Sequence, residues 1–277
     1  MRIDRSVGLI GVGNMGEALL RGLIGTGAVS AGRCLVTNKS NDERLARVAD
    51  QWGVQTTRNK AQLMAEGDVI LLAVKPADMP DVLQDIGPHA QARHLVISVA
   101  AGVPLETIEH HVEGVPAARA MPNTSTAVGA SATAVCLGRW ATEAHLTTVR
   151  DIFEAVGSVV VVPESLFDAV TGLSGSGPAY VYLLAEAMLE AGVRAGLSRD
   201  VALALVSQTV LGAGKMLAET GEDPAVLRGR VTSPGGTTMA GIQALEESRF
   251  QGAVRDAVER AARRARELRA APLPPPR

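Results

Sequence analysis

The pattern of hydrophobic and polar positions divides the chain into two parts. From Ser6 to about Val162, short apolar runs alternate with helical stretches, and each run is bounded by Gly, Pro, Asn or Asp, as in βαβ units. The runs predict strands over 7–10, 34–37, 69–74, 95–99, 118–121, 132–137 and 159–162. Helical periodicity predicts helices over 15–24, 42–52, 79–86, 104–111 and 141–156. The first four runs are almost entirely apolar, which favours a parallel, doubly wound sheet covered on both faces.

After Pro163 the strand-like runs stop, and the remaining sequence predicts helices alone. Helix starts are indicated at Pro178, Ser198 and Asp223. The stretches 180–191 and 201–217 carry apolar residues on more than one face, which a surface helix of a monomer does not tolerate. Two interpretations are open: these faces are buried against another subunit, or they pack within one helical bundle. The first predicts oligomerisation through this half.

A glycine-rich turn directly follows the first predicted strand. Gly11-Val12-Gly13-Asn14-Met15-Gly16 ends that strand and opens a helix. The first Gly permits a tight turn, the second lets the backbone approach a pyrophosphate, and the third lets helix and strand pack. The helix N-terminus then faces the anion. Because strand, spacing and helix occur together, we predict a Rossmann dinucleotide-binding domain.

The second predicted strand ends without a carboxylate. An Asp or Glu at this place usually holds a free ribose 2′-hydroxyl and would repel a 2′-phosphate. Here the strand runs into Asn38, Lys39 and Ser40, whose side chains suit a phosphate. We therefore predict NADPH as the cofactor, with NADH as the alternative if Lys39 only lies in solvent.

Two further strand ends lie at the same predicted edge of the sheet. One runs into Lys75 and Pro76, and the other into the small residues 98–102. Since ligands bind beyond the carboxyl ends of strands in doubly wound folds, these residues are predicted to flank ribose and nicotinamide. A solvated lysine at a helix start is the other interpretation of Lys75.

A second cluster of glycine and hydroxyl residues lies in the helical half. The segment 232–238, Thr-Ser-Pro-Gly-Gly-Thr-Thr, precedes a helix, and free N–H groups at a helix start form a nest for an anion. The hydroxyl groups add hydrogen bonds without adding charge. This pattern predicts a small carboxylate ligand, although an ordinary helix cap is the alternative. The similar segment 171–178 matches no nucleophile elbow, and close helix packing explains its glycines.

Composition narrows the class of ligand. With 27 basic and 29 acidic residues the net charge is −2, and 3% aromatic residues leave few surfaces for base stacking. Cys34 and Cys136 match neither a zinc site nor a disulfide framework, and no apolar run reaches the roughly 18 residues of a membrane span. We predict a cytoplasmic protein that acts on a small molecule, without metal, nucleic acid or membrane.

Several blocks of the sequence together resemble pyrroline-5-carboxylate reductase. They are the glycine-rich turn and residues 73–76, 119–124, 168–180 and 231–238, of which the last two are specific to that family. The resemblance runs from about residue 7 to 262. It implies reduction of the cyclic imine 1-pyrroline-5-carboxylate to L-proline with hydride from NAD(P)H, the last step of proline biosynthesis.

The motifs and the resemblance together predict the site residues. Thr238 is the predicted catalytic residue, whose hydroxyl hydrogen-bonds the ring nitrogen. The predicted substrate contacts are Glu164, Ser233, Gly235, Gly236, Thr237 and Thr238, although Glu164 is equally interpreted as a helix-start acid. The predicted cofactor contacts are Leu9, Ile10, Gly11, Val12, Gly13, Asn14, Met15, Gly16, Asn38, Lys39, Ser40, Asn59, Ala73, Val74, Lys75, Pro76, Val99, Ala100 and Ala101.

The resemblance also implies a domain organisation and an assembly. Residues 1–163 are predicted to form the NADP(H)-binding Rossmann domain, and residues 164–277 an all-α substrate-binding and dimerisation domain. The proline-rich tail lies outside the resemblance, and its prolines alone predict a short disordered extension. The implied assembly is a homodimer that builds a larger ring. Two other functions are open: a β-hydroxyacid dehydrogenase, faintly suggested by 212–215 but lacking the Asn expected where Glu219 stands, and a non-catalytic NADPH-sensing regulator.

Overall fold

The computed structural model describes residues 3–270. Within them, contacts divide the chain into two compact units, one made of 3–176 with 260–270 and the other of Gly177–Glu259. Residues 164–176 thus belong to the first unit, although the sequence assigned them to the helical domain. The reason is packing, since the Phe167 side chain lies in a core of the first unit. The predicted disordered tail at 271–277 lies outside the described residues.

One eight-stranded sheet organises the first unit. Its strands are β1 (Val7–Ile10), β2 (Cys34–Thr37), β3 (Gln55–Thr56), β4 (Val69–Leu72), β5 (Leu95–Ser98), β6 (Ala117–Met121), β7 (Ser131–Leu137) and β8 (Gly157–Val161), in the order β3-β2-β1-β4-β5-β6-β7-β8. The pairs from β3 to β6 are parallel, as the apolar runs predict, whereas β6 and β7 are antiparallel. Only a short 3₁₀ segment, Thr124–Val128, separates β6 from β7, and parallel pairing needs a longer crossover.

Helices cover both faces of this sheet. They are α1 (Asn14–Gly25), α2 (Asp42–Trp52), α3 (Lys60–Glu66), α4 (Met79–Ile86), α5 (Leu105–His111), α6 (Glu143–Glu154) and α7 (Phe167–Val170). Alternate strand residues enter two separate cores: Leu71 packs in one and Ile70 in the other. Both cores are apolar, so the prediction of a doubly wound sheet is confirmed. Several predicted bounds were wrong by one or two residues. The strand predicted over 69–74 ends at Leu72, the helix predicted over 141–156 spans Glu143–Glu154, and Pro104 has extended backbone and precedes α5 instead of opening it.

The second unit contains helices and connecting turns, and no strand among its described residues. It holds α8 (Gly177–Arg194), α9 (Arg199–Thr220), α10 (Pro224–Arg230), α11 (Thr237–Glu247) and the start of α12 (Phe250–Ala270). Two predicted starts are true N-caps, since the Ser198 hydroxyl accepts from the Val201 N–H and the Asp223 carboxylate accepts from the Ala225 N–H. The segment Thr171–Gly175 before α8 is itself helical, of the π type, so it does not simply precede a helix as predicted.

The apolar faces of α8 and α9 are not covered within the unit. Only Leu189, Ala202 and Val206 form a buried cluster between them, whereas Leu183 and Leu205 remain 67% and 55% exposed. The interpretation that one bundle buries these faces is therefore wrong for the single chain. Among residues 3–270, α9 is also long and apolar enough by composition to cross a membrane. One such helix by itself is only weak evidence of a membrane span.

Candidate active site

The glycine-rich turn has the steric features that its spacing predicts. Gly11 has φ +102°, and a Cβ atom there would lie 2.6 Å from the Ala73 carbonyl oxygen. A Cβ on Gly16 would collide with the Gly11 carbonyl oxygen, so α1 approaches the end of β1 only because residue 16 is Gly. A Cβ on Gly13 meets no atom within 4 Å. The backbone at Gly13 is therefore open to a ligand, while Gly11 and Gly16 shape the turn.

The N-cap residue of α1 supplies no side-chain cap. Gly13 holds that position, so it has no side chain that could accept from the first N–H groups of the helix. Those donors and the positive end of the helix macrodipole fit the pyrophosphate of a dinucleotide. The geometry of residues 11–16 is thus compatible with the predicted pyrophosphate contacts, which stay predictions.

A cavity of about 290 Å³ opens beside this turn, at the carboxyl ends of β1, β2 and β4. Its walls include five of the predicted cofactor residues, namely Ile10, Gly11, Asn38, Lys39 and Val74. The apolar side chains of Ile10, Val74 and Val82 offer contact surface to a flat ring. Ligands of doubly wound folds bind at this edge of the sheet. The cavity therefore fits the adenosine end of a dinucleotide.

The other predicted cofactor residues do not line this cavity among the described residues. Asn59 is the N-cap of α3, and its side chain accepts a hydrogen bond of 3.2 Å from the Gln62 N–H. Lys75 is exposed, at the start of a 3₁₀ turn. Val99 and Ala100 follow β5 and are buried, so they reach a ligand chiefly through their backbone. Their predicted cofactor contacts stay predictions.

The cations at the end of β2 are already paired within the protein. The Lys39 ammonium lies 2.8 Å from an oxygen of Asp78 and 3.1 Å from one of Asp81. Hydrogen bonds to these two carboxylates raise the pKa of Lys39, so it stays charged. Arg58, which the sequence did not single out, donates to the Asn38 backbone and side-chain oxygens at 2.5 and 2.7 Å.

Glu164 is engaged in a structural contact. Its carboxylate accepts hydrogen bonds of 2.7 Å from the Leu105 N–H and from the Arg119 guanidinium. The Arg119 side chain is only 4% exposed, and its guanidinium carbon lies 4.6 Å from the centre of the Phe167 ring. A buried arginine needs a partner, and Glu164 provides it. Its predicted contact with substrate stays a prediction.

In the second unit, the predicted anion nest is a tight turn before α11. The Gly236 N–H donates to the Ser233 carbonyl oxygen at 3.0 Å, and Gly235 has φ +70°, which favours Gly. Gly236 is the N-cap of α11 and supplies no side-chain cap hydrogen bond. Thr237 and Thr238 in the first turn are exposed. The N-cap residue itself therefore supplies no acceptor. Both the anion nest and a cap by neighbouring hydroxyl groups stay predictions.

Family models and relatives agree with the motifs. A model described as pyrroline-5-carboxylate reductase dimerisation matches residues 164–268, and one described as NADP oxidoreductase, coenzyme F420-dependent, matches residues 6–102. Pyrroline-5-carboxylate reductase 2 of Bacillus subtilis is 39% identical over 96% of this chain and 95% of its own length. Pyrroline-5-carboxylate reductase of Arabidopsis thaliana is 42% identical over 95% of each. The chain belongs to the pyrroline-5-carboxylate reductase family.

Solved structures of this family superpose on the whole chain. A pyrroline-5-carboxylate reductase from Coxiella burnetii has a TM-score of 0.90 at 36% identity and covers 97% of this chain and 100% of its own. The enzyme of Plasmodium falciparum, with NADP bound, has a TM-score of 0.86 at 29% identity and covers 98% and 100%. The predicted fold class is confirmed, and the helical half is a dimerisation domain, which explains its exposed apolar faces.

Proposed function

We propose that the protein reduces 1-pyrroline-5-carboxylate to L-proline, the last step of proline biosynthesis, with NADPH as the preferred donor and NADH as an alternative. The observation that carries this proposal is the glycine N-cap of α11, which leaves backbone donors for a small carboxylate in a chain that also holds a dinucleotide turn. When bound, the nicotinamide supplies the hydride. Both alternatives, a β-hydroxyacid dehydrogenase and a regulator, are disfavoured by membership of the family.

The substrate carboxylate suits the turn at 233–236. Backbone N–H groups at the start of α11 and the Ser233 hydroxyl donate hydrogen bonds without a counter-charge. Gly235 keeps the turn tight through its positive φ, and a Cβ on Gly236 would lie 2.5 Å from the Ser233 Oγ. We assign Ser233, Gly235, Gly236 and Thr237 to carboxylate binding because together they form one turn.

Thr238 is the group that we assign to the ring nitrogen. Its Oγ1 hydroxyl both donates and accepts, so it hydrogen-bonds the ring nitrogen and relays a proton from solvent to it, taking up one proton as it gives one. An iminium is already electrophilic and needs no strong acid. A neutral hydroxyl beside an anion-binding turn meets this requirement.

We assign the cofactor phosphates to the first unit. The N–H groups at the start of α1 and the open backbone of Gly13 hold the pyrophosphate, and the cavity between Ile10, Val74 and Val82 receives the adenine ring. Asn38, directly after β2, is assigned to the ribose. These assignments account for the glycines and for the lack of a carboxylate directly after β2.

Two alanine substitutions should distinguish glycines that the fold of the glycine-rich turn requires from the glycine that leaves room for the cofactor. Gly16→Ala places a methyl group against the Gly11 carbonyl oxygen and should lower the free energy of unfolding by about 1–3 kcal/mol. Gly13→Ala meets no protein atom, so unfolding should change little, while Kd for NADPH should rise about ten-fold through obstructed phosphate contacts. Urea denaturation and fluorescence titration measure the two effects. Equal losses of stability in both variants would contradict these roles.

The proposed reaction is tested with the purified protein. NADPH oxidation is followed with 1-pyrroline-5-carboxylate as substrate, and proline is quantified as product. In parallel, NADP⁺ reduction is followed with a series of 3-hydroxyacids. Proline formation with no hydroxyacid oxidation is expected, whereas hydroxyacid oxidation without imine reduction would overturn the proposal. Tight NADPH binding without either reaction would favour the regulator.

We also propose the assembly and location of the enzyme. Dimers form through the helical domain and assemble into a larger ring, and the protein works in the cytoplasm. The dimerisation family match over 164–268 and the exposed apolar faces of α8 and α9 support association. Light scattering coupled to size-exclusion chromatography gives the mass of the assembly, and a strict dimer at all concentrations would exclude the ring.

A further inference from the structure

The cavity at the end of β2 contains an internal competitor for an anionic ligand. The Lys39 ammonium belongs to the loop after β2, whereas Asp78 lies just before α4 and Asp81 lies in its first turn. The two ion pairs, at 2.8 and 3.1 Å, therefore join two segments that are distant in sequence and line the same cavity. The Lys39 side chain is 54% exposed, so the ammonium is accessible to a ligand that enters from solvent.

The charges that line the cavity are unfavourable for a phosphate. Three carboxylates, Asp78, Asp81 and Asp85, face two ammonium groups, Lys39 and Lys60, which leaves an excess of one negative charge. Lys60 is also paired, at 2.7 Å from Asp85. A phosphate monoester brings a further charge of about −1.5 to −2 at neutral pH. It must therefore take an ammonium away from a carboxylate or remain unpaired.

We propose that Asp78 and Asp81 limit the preference for NADPH over NADH, because they compete with the ribose 2′-phosphate for the Lys39 ammonium. This inference rests on the proposed function, in which the cavity receives the adenosine end of the cofactor. NADH has no 2′-phosphate, so it leaves both ion pairs intact. The carboxylates thus act on one cofactor and not on the other, and they are specificity-determining residues.

Arg58 explains why a 2′-phosphate still binds. Its guanidinium hydrogen-bonds to Asn38, directly after β2, and forms an ion pair with Asp42, whose side chain is 88% exposed. A pair with so exposed a carboxylate is strongly screened and exchanges readily for a phosphate. Asp78 and Asp81 are less exposed, at 34% and 22%, so their hold on Lys39 is screened less.

Isothermal titration calorimetry on the full-length protein tests the competition without any turnover. The probes are adenosine 2′,5′-bisphosphate and adenosine 5′-monophosphate, which differ only by the 2′-phosphate. The measured quantity is the ratio of their dissociation constants. In the variant with Asp78→Asn and Asp81→Asn, which preserves shape, the bisphosphate should bind about three- to ten-fold tighter while the monophosphate changes less than about two-fold.

Two control variants separate competition for Lys39 from a general change of charge. Asp85→Asn removes one carboxylate from the same cavity but releases Lys60 instead, and it should change the ratio less than about two-fold. In a Lys39→Met background, the two Asn substitutions should no longer change the ratio, which a double-mutant cycle shows directly. Thermal unfolding of each variant checks that the fold is retained.

The outcomes distinguish this inference from the proposed function. If the monophosphate binds and the ratio is unchanged by the Asn substitutions, the inference is overturned and the cofactor site stands. An equal gain in the Lys39→Met background would also overturn it, since bulk charge would then be the cause. If neither probe binds the unmodified protein, the cavity is not the adenosine site, and the placement of the cofactor fails first.

Discussion

Thr238→Ala should lower kcat for 1-pyrroline-5-carboxylate reduction by about 100-fold or more, the usual loss when a positioned proton donor is removed. The alanine should leave the backbone of α11 in place, because Thr238 is exposed and lies in the first turn of that helix. The Kd for NADPH should stay within about two-fold, since binding of the cofactor is assigned to the first unit. Steady-state kinetics and a fluorescence titration give the two quantities.

Thr238→Ser is the matched control for that substitution. Serine keeps the hydroxyl and removes only a methyl group, so most of the turnover should return. Thr237→Ala is the neighbouring control: its effect should fall mainly on KM, because Thr237 is assigned to carboxylate binding. A Thr238→Ala enzyme with unchanged kcat would remove the hydroxyl from the mechanism, and equal losses in Ala and Ser variants would point to the shape of the turn instead.

Glu164→Ala should lower the free energy of unfolding by about 3–5 kcal/mol, because it leaves the buried Arg119 guanidinium without its charged partner. The same carboxylate accepts a hydrogen bond from the Leu105 N–H, so α5 also loses a contact at its first residue. Chemical denaturation monitored by circular dichroism measures the loss, at a fixed protein concentration.

Glu164→Gln tests whether the residue also touches substrate. The glutamine oxygen still accepts from both donors, so the loss of stability should be clearly smaller than in the alanine variant. If the carboxylate binds substrate, KM for the imine rises in the Gln variant while the fold stays intact. An unchanged KM together with a stable fold assigns Glu164 to structure alone, and an alanine variant as stable as the parent would contradict the role of the ion pair.

Local patterns were enough to predict most of the first unit. The strands β1 and β2 and the helices α2 and α4 have the predicted bounds, because apolar runs and turn residues mark both ends of each. The short strand β3 and the helix α3 escaped prediction, since the two residues of β3 are exposed and α3 has only seven residues. Short or exposed elements carry little periodicity.

The contacts that define the site were less predictable than its motifs. The glycine-rich turn depends on residues close together in sequence, so the steric roles of its glycines can be predicted from their spacing alone. The partners of Lys39 lie about forty residues away on α4 and its preceding turn, and Glu164 is 45 positions from Arg119. A lone Arg in the alanine-rich strand β6 was the available signal for a buried ion pair. A single sequence does not indicate which carboxylate forms the ion pair with Arg119.

Because leucines of α8 and α9 are exposed in the single chain, the stability of this enzyme should depend on protein concentration. A chain with these faces in water has no complete core in its second unit, so folding and association are coupled. The midpoint of thermal unfolding should then rise as the protein is concentrated. Dilution alone should then inactivate the enzyme, and a heterologous helix that fits the same faces should act as an inhibitor by blocking association.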